Sequence, residues 1–242
     1  MSPLRQRMLD GLVLRGMAQR TLLPWLSKPQ RDRRIQAWSR EMLRRLGVEL
    51  KIVGAPAQAG PMLLVSNHVS WVDIVALHAA CHCRFVSKAD VARWPVVGTL
   101  ATGVGTLYVK RESRRAAMRV VYQMAEALRD GDILAVFPEG TTGDGSGVLP
   151  FHSSLIQAAI SADAPVQAVA LQIVNRESGE PSHAVSYMGD ESLVGSIWRT
   201  ICARELCAVV AFGAPQRSAG RDRHAWARDL RREVSGMRQP PR

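Results

Sequence analysis

The sequence predicts an α/β fold in which a mostly parallel sheet is flanked by helices, with an amphipathic helical pair ahead of it. Three observations carry that prediction. From residue 47 onward, short β-branched and aliphatic runs alternate with stretches of helical length, which is the pattern of strands joined by crossover helices. Several apolar runs break abruptly into polar or glycine-rich residues, as at Val65-Ser66-Asn67-His68 and Val136-Phe137-Pro138-Glu139, and open α/β sheets carry their sites at such strand ends. The basic residues crowd the two ends: residues 1–46 hold eleven basic and three acidic side chains, residues 217–242 eight and three, and the stretch between thirteen and fifteen.

The first segment, residues 1–46, reads as two helices over 4–23 and 30–46. Leu4, Met8, Leu12 and Val13 share one broad helical face, and Leu22, Leu23, Trp25 and Leu26 add an apolar patch around Pro24. Arg5, Arg15 and Arg20 intrude on that face, but their long stems can lie along apolar surface while the guanidinium stays in the headgroup layer. This composition predicts a helical pair lying on an anionic membrane surface. No run of about 18 apolar residues occurs, so a conventional spanning helix is not expected.

Residues 47–242 then read as one α/β domain. Strands are predicted at Val48 to Val53, Met62 to Val65, Phe85 to Val86, Thr106 to Val109, Ile133 to Phe137, Val166 to Val174 and Cys207 to Phe212. Helices are predicted at 71–80, 113–129, 153–162, 192–203 and 222–236, the second ending at Asp130-Gly131-Asp132. Four cysteines, at 81, 83, 202 and 207, are too few for a disulfide scaffold, and no secretory leader is evident. Reduced thiols and a peripheral place on the cytoplasmic face of the inner membrane are the expectation.

The stretch most informative about chemistry is Asn67-His68-x4-Asp73. A histidine at the end of an apolar strand, with an aspartate at the start of the next helix, can have one ring nitrogen fixed by the carboxylate while the other acts as a base. No protein nucleophile is needed if the substrate's own hydroxyl takes that place. The second stretch, Phe137-Pro138-Glu139-Gly140-Thr141-Thr142-Gly143, runs from a strand into a loop rich in free N–H groups that can hydrogen-bond a polyol or cradle an anion. Between them, Lys88, Arg111 and Arg114 lie after strand ends, where cations can hold a phosphate. The ordinary alternatives are a structural histidine, a connecting loop and solvated cations.

Taken together these pieces resemble the lysophospholipid acyltransferase family, whose bacterial 1-acyl-glycerol-3-phosphate acyltransferases are its best-known members. Asn67-His68-x4-Asp73 resembles the family's first motif, Gly105 to Arg111 its second, and Phe137-Pro138-Glu139-Gly140-Thr141 its third; Lys88, Pro95 and Gly98 also fall where the family carries Lys, Pro and Gly. The resemblance covers residues 47 to about 175. It implies an acyltransferase in which His68 deprotonates an acceptor hydroxyl and Asp73 orients it. Asn67, Lys88, Arg111, Arg114, Glu139, Gly140, Thr141 and Thr142 would hold the acceptor. The donor would be acyl-CoA or acyl carrier protein, used as substrate, and no cofactor or metal is implied. Lysophosphatidic acid is the leading acceptor, giving phosphatidic acid for phospholipid biosynthesis. One departure bears on that choice: Thr142 stands where the family's third motif commonly has arginine, as in relatives acting on lyso-ornithine lipid.

Other classes fit less well. Of His78, Cys81, His82 and Cys83, three are adjacent in the chain, and neighbours on a strand point to opposite faces, so the set does not suit a zinc site. A Gly-x-Ser-x-Gly nucleophile elbow is absent from the sequence. The basic ends alone would suit nucleic acid, but the tyrosines and phenylalanines form no stacking motif, so no nucleic-acid partner is expected. A non-catalytic membrane-binding protein leaves His68, Asp73 and Glu139 unexplained.

Overall fold

The computed structural model describes residues 11–18, 23–109, 114–187, 192–203 and 205–238. Helical residues 11–18 form α1, and a 3-10 turn at Leu23–Trp25 leads into α2, Lys28–Leu46. The remaining parts of the predicted first helix lie outside the described residues. α2 opens at Ser27 with Pro29 in its first turn and stops at Gly47, whose left-handed φ of 75° lets its N–H return to the carbonyls of Arg44 and Leu43.

Seven strands follow among the described residues: β1 Val48–Val53, β2 Met62–Ser66, β3 Arg84–Lys88, β4 Leu107–Val109, β5 Ile133–Val136, β6 Val166–Asn175 and β7 Leu206–Phe212. They form one sheet in the order β1-β7-β6-β2-β5-β3-β4. The run from β6 to β4 is parallel, β7 pairs antiparallel with β6, and β1 pairs parallel with β7. The fold is therefore the mostly parallel α/β sheet the sequence predicts, with an edge of two reversed strands. β2 is buried at all five positions, as a central parallel strand must be when both sheet faces are covered.

The alternation of β2 divides the core. Leu64 joins Leu12 of α1, Met42, Leu43 and Leu46 of α2, and Val72, Ala76 and Leu77 of α3, Trp71–Ala80. Leu63 and Val65 join the opposite layer, formed by Met124 and Leu128 of α5, Arg114–Arg129, Ile156 of α6, Ile156–Ala162, and Trp226, Leu230 and Val234 of α8, Arg223–Met237. Residues 1–46 thus differ from the rest in charge, yet their helices share the core of the sheet: Leu12 is 1% exposed, and Trp38 donates from Nε1 to the Leu12 carbonyl at 3.1 Å. The apolar side chains of this segment left facing outward include Leu14, 66% exposed, and Trp25, 87% exposed.

One part of the sheet edge escapes the sequence reading. Between β3 and β4 the chain forms a 3-10 segment, Ala89–Arg93, and a short helix α4, Val97–Gly103, where no element is predicted. Val96 turns the chain between them with φ 65° and ψ −62°, and Val97 N–H donates to the Pro95 carbonyl at 2.7 Å, which is a tight three-residue turn. Gly98 is needed here because a Cβ would stand 2.3 Å from the Ala92 carbonyl oxygen. α7, Leu193–Cys202, lies between β6 and β7 in the chain and packs beside α3 through a Trp71 Nε1 to Ser196 Oγ bond of 3.2 Å.

Candidate active site

β2 and β5 are neighbours in the sheet, so the polar residues that follow them meet at one end. After Ser66 the backbone leaves β2 and enters α3 through a capping box: Ser70 Oγ accepts from Val72 N–H, and the Asp73 carboxylate accepts from Ser70 N–H at 2.8 Å. The same oxygen, Asp73 Oδ2, also accepts from Val69 N–H at 2.6 Å and from His68 Nδ1 at 2.9 Å. The spacing of histidine and aspartate is thus that of a helix start, with the aspartate at the third helical position and the histidine two residues ahead of the cap.

Asp73 is 1% exposed and the His68 side chain 17%, so the carboxylate is sealed while the ring keeps an open edge. A carboxylate oxygen only accepts, so His68 Nδ1 carries the hydrogen and Nε2 is left as an acceptor. The ring plane is fixed by Phe137, which stacks on it at a centroid distance of 3.9 Å and an angle of 7°. Phe85 in turn stacks on Phe137 at 5.4 Å.

The loop after β5 is bound to the same histidine from the other side. Glu139 is 5% exposed, and its carboxylate accepts from the backbone N–H groups of Leu149 and His68. Gly143 N–H donates to the His68 carbonyl at 2.8 Å. Burial pushes the Glu139 carboxyl up to about 7, opposed by those two N–H donors and by the charge of Arg238. Gly140 turns the loop at φ 74°, a conformation that favours glycine. Thr141 is exposed, and Thr142 Oγ donates to the Tyr187 carbonyl.

His68, Asp73, Glu139, Gly140 and Thr142 are therefore brought together. Asn67 is placed otherwise than expected: it is 1% exposed, its Nδ2 donates to the Leu171 carbonyl at 2.9 Å, and its Oδ1 accepts from Leu171 N–H at 2.8 Å. Its whole amide therefore ties β2 to β6. Lys88 ends β3, exposed and in register with Val109 of β4. Arg111 lies outside the described residues, and Arg114 opens α5 with its side chain also outside them.

Three contributors escape the sequence reading. Ser70 has a local signature, the Ser-x-x-Asp of a capping box. Phe137 is legible as the end of an apolar run and the first residue of the third motif, but not as the ring that stacks on His68. Arg238 carries no signal at all, since it comes from the end of α8, far along the chain. His78 is buried edge-on to Phe85 at 5.0 Å, and burial pushes its imidazole down to about 3. Among the described residues no group of three or more His, Cys, Asp or Glu side chains could hold a metal ion.

A family model described as Acyltransferase matches residues 39–172. The chain is 35% identical to a lyso-ornithine lipid O-acyltransferase of Pseudomonas aeruginosa, over 96% of this chain and 91% of that one. It is 36% identical to a 1-acyl-sn-glycerol-3-phosphate acyltransferase of Neisseria gonorrhoeae, over 75% and 71% of the two chains. The fold is similar to the crystal structure of the 1-acyl-sn-glycerophosphate acyltransferase of Thermotoga maritima, with a TM-score of 0.65, 16% identity, and coverage of 98% of this chain and 99% of that one. The motifs that hold His68, Asp73 and Glu139 lie inside the matched segment, and the chain belongs to the acyltransferase family.

Proposed function

We propose that the protein transfers a fatty acyl group from acyl-CoA or acyl carrier protein to the free hydroxyl of a lysolipid at an anionic membrane face. The observation that carries this reading is the His68–Asp73 pair at the mouth of β2, with no serine or cysteine nucleophile hydrogen-bonded to the histidine among the described residues. His68 Nε2 takes the proton of the acceptor hydroxyl, and the Asp73 carboxylate stabilises the resulting imidazolium. The hydroxyl oxygen attacks the thioester carbonyl carbon. The tetrahedral intermediate then collapses, the C–S bond breaks, and the imidazolium returns its proton to the leaving thiolate. Ester and thiol are the products, and the histidine is regenerated.

Lysophosphatidic acid is the first reading of the acceptor, in keeping with the relatives named for 1-acyl-sn-glycerol-3-phosphate. Lyso-ornithine lipid is a second reading, and two observations favour it. The Thr142 hydroxyl is engaged by the Tyr187 carbonyl, so this position presents no cation to a phosphomonoester. The match with the Pseudomonas aeruginosa lyso-ornithine lipid enzyme runs nearly end to end.

Incubation of the purified protein with one labelled acyl thioester and each lysolipid in turn, followed by lipid mass spectrometry, tests both readings. Acylation of a lysolipid supports the general proposal, and the acceptor with the higher kcat/KM decides between the two. Hydrolysis of the thioester with no acylated lipid would overturn it.

A further inference from the structure

Arg231 of α8 and Arg238, which caps the end of that helix, reach the loop that carries Glu139. Arg231 donates from Nε to the Leu149 carbonyl at 3.1 Å and from Nη2 to the Val148 carbonyl at 2.7 Å. Arg238, seven residues later and so on the same helical face, donates from Nη2 to the Gly145 carbonyl. The loop held at these points is the one whose Gly143 N–H binds the His68 carbonyl. Leu149 N–H binds the Glu139 carboxylate, which accepts the His68 N–H in turn. Contacts thus run from the end of α8 through the loop to both the N–H and the carbonyl of His68.

Arg238 is half-buried, its Nε is buried with no hydrogen-bond partner among the described residues, and Glu139, Asp73 and Asp144 all act on its charge. A guanidinium drawn out of water at a loop carbonyl, beside the two buried carboxylates of the site, is costly unless its charge is used there.

We propose that Arg231 and Arg238 are positioning residues for acyl transfer: together they clamp residues 143–149 onto the backbone of His68, and Arg238 supplies the cation that faces Glu139. The inference rests on the reading of His68 as the base, but the loop contacts themselves do not.

Hydrogen exchange of the peptide spanning residues 139–150 reads the clamp without reference to any substrate. Arg231→Met removes the part-buried bonds to the Val148 carbonyl and the exposed bond to the Leu149 carbonyl, all on the loop and none in the core of the sheet, so the melting temperature should change by a few degrees at most while the loop exchanges at least about tenfold faster. Arg238→Met should do the same and lower kcat about tenfold or more, with the acceptor KM little changed, because small misplacement of a reacting group is expensive in rate. It should also move the acid limb of the pH–rate profile upward, since loss of the cation favours protonated Glu139. Arg238→Lys, which keeps the charge but not the fork, should return the acid limb toward wild type while the loop stays fast in exchange.

If loop exchange is unchanged in folded Arg231→Met and Arg238→Met proteins, the clamp is wrong, whatever substrate the enzyme uses. An acid limb that Arg238→Met leaves in place would overturn the charge role. Should Arg238→Met fail to fold, Arg231→Met decides the clamp and Arg238→Lys the charge, the limb having to stay near wild type. A protein with the expected loop exchange but no acylation of any lysolipid would overturn the functional reading and leave the clamp standing.

Discussion

Glu139 shows how a single residue links the chemistry to folding stability. Its folded carboxyl titrates at about 7 instead of 4.5 because burial disfavours the charge. Between those two values the folded protein binds a proton that the unfolded chain has released, so this group makes stability fall as pH rises from about 4.5 to about 7. Glu139→Gln should therefore stabilise the fold at pH 8, by on the order of 1 to 2 kcal/mol after allowance for solvent access, and change little near pH 4. Urea unfolding at the two pH values checks this; equal or lower stability of the variant at pH 8 would contradict it. His68 and Asp73 were legible because their chemistry and their helix-start spacing coincide within six residues. Asn67 was not: whether an amide faces substrate or a neighbouring strand depends on β6, a hundred residues away. Arg238 was hidden for the same reason, since only the docking of α8 brings it to the loop.

At the scale of elements, the segment between β3 and β4 is the one the sequence hid. Ala89 to Gly103 has no long apolar periodicity, and no element is predicted there. In the structure Gly98 permits a helix to start against the preceding turn. Gly98→Ala would push a Cβ to 2.3 Å from the Ala92 carbonyl oxygen and 2.7 Å from the Val91 carbonyl oxygen. Because both are backbone atoms, we expect a loss of about 1 to 3 kcal/mol, seen as a fall of several degrees in the thermal midpoint. A variant as stable as the parent would show that this turn yields freely. Six of the seven strands lie within a residue of their predicted ends because each is an aliphatic run, whereas β3, read as Phe85 to Val86, extends into the polar residues Arg84, Ser87 and Lys88; β7 and β1 run against the others, and hydrophobic periodicity carries no strand direction.

For the whole molecule, the proposed attachment to an anionic membrane rests on the placement of charge and of outward apolar side chains. Residues 1–46 carry eleven basic against three acidic side chains, and no helix among the described residues is long and apolar enough to cross a membrane. Leu12 serves the core, so attachment through this segment would use its outward side chains, among them Leu14 and Trp25. Trp25→Ser should weaken binding to anionic vesicles about tenfold without changing the thermal midpoint. Binding of the parent should fall as salt rises from 0.1 M, where the screening length is about 10 Å, toward 1 M, where it is about 3 Å. Sedimentation with vesicles reads both; binding indifferent to Trp25 and to salt would move the membrane-facing surface elsewhere on the molecule.

If His68 is the base for acyl transfer, a folded His68→Ala protein loses lysolipid acylation, and the rate of that reaction is the measurement to make. Loss of a general base typically costs about 10² to 10⁴ in rate. The variant should keep its fold, since Asp73 retains both backbone N–H donors, and should turn over at no more than about one hundredth of the parent. Turnover above about one tenth of the parent, by protein shown to be folded, would contradict the account.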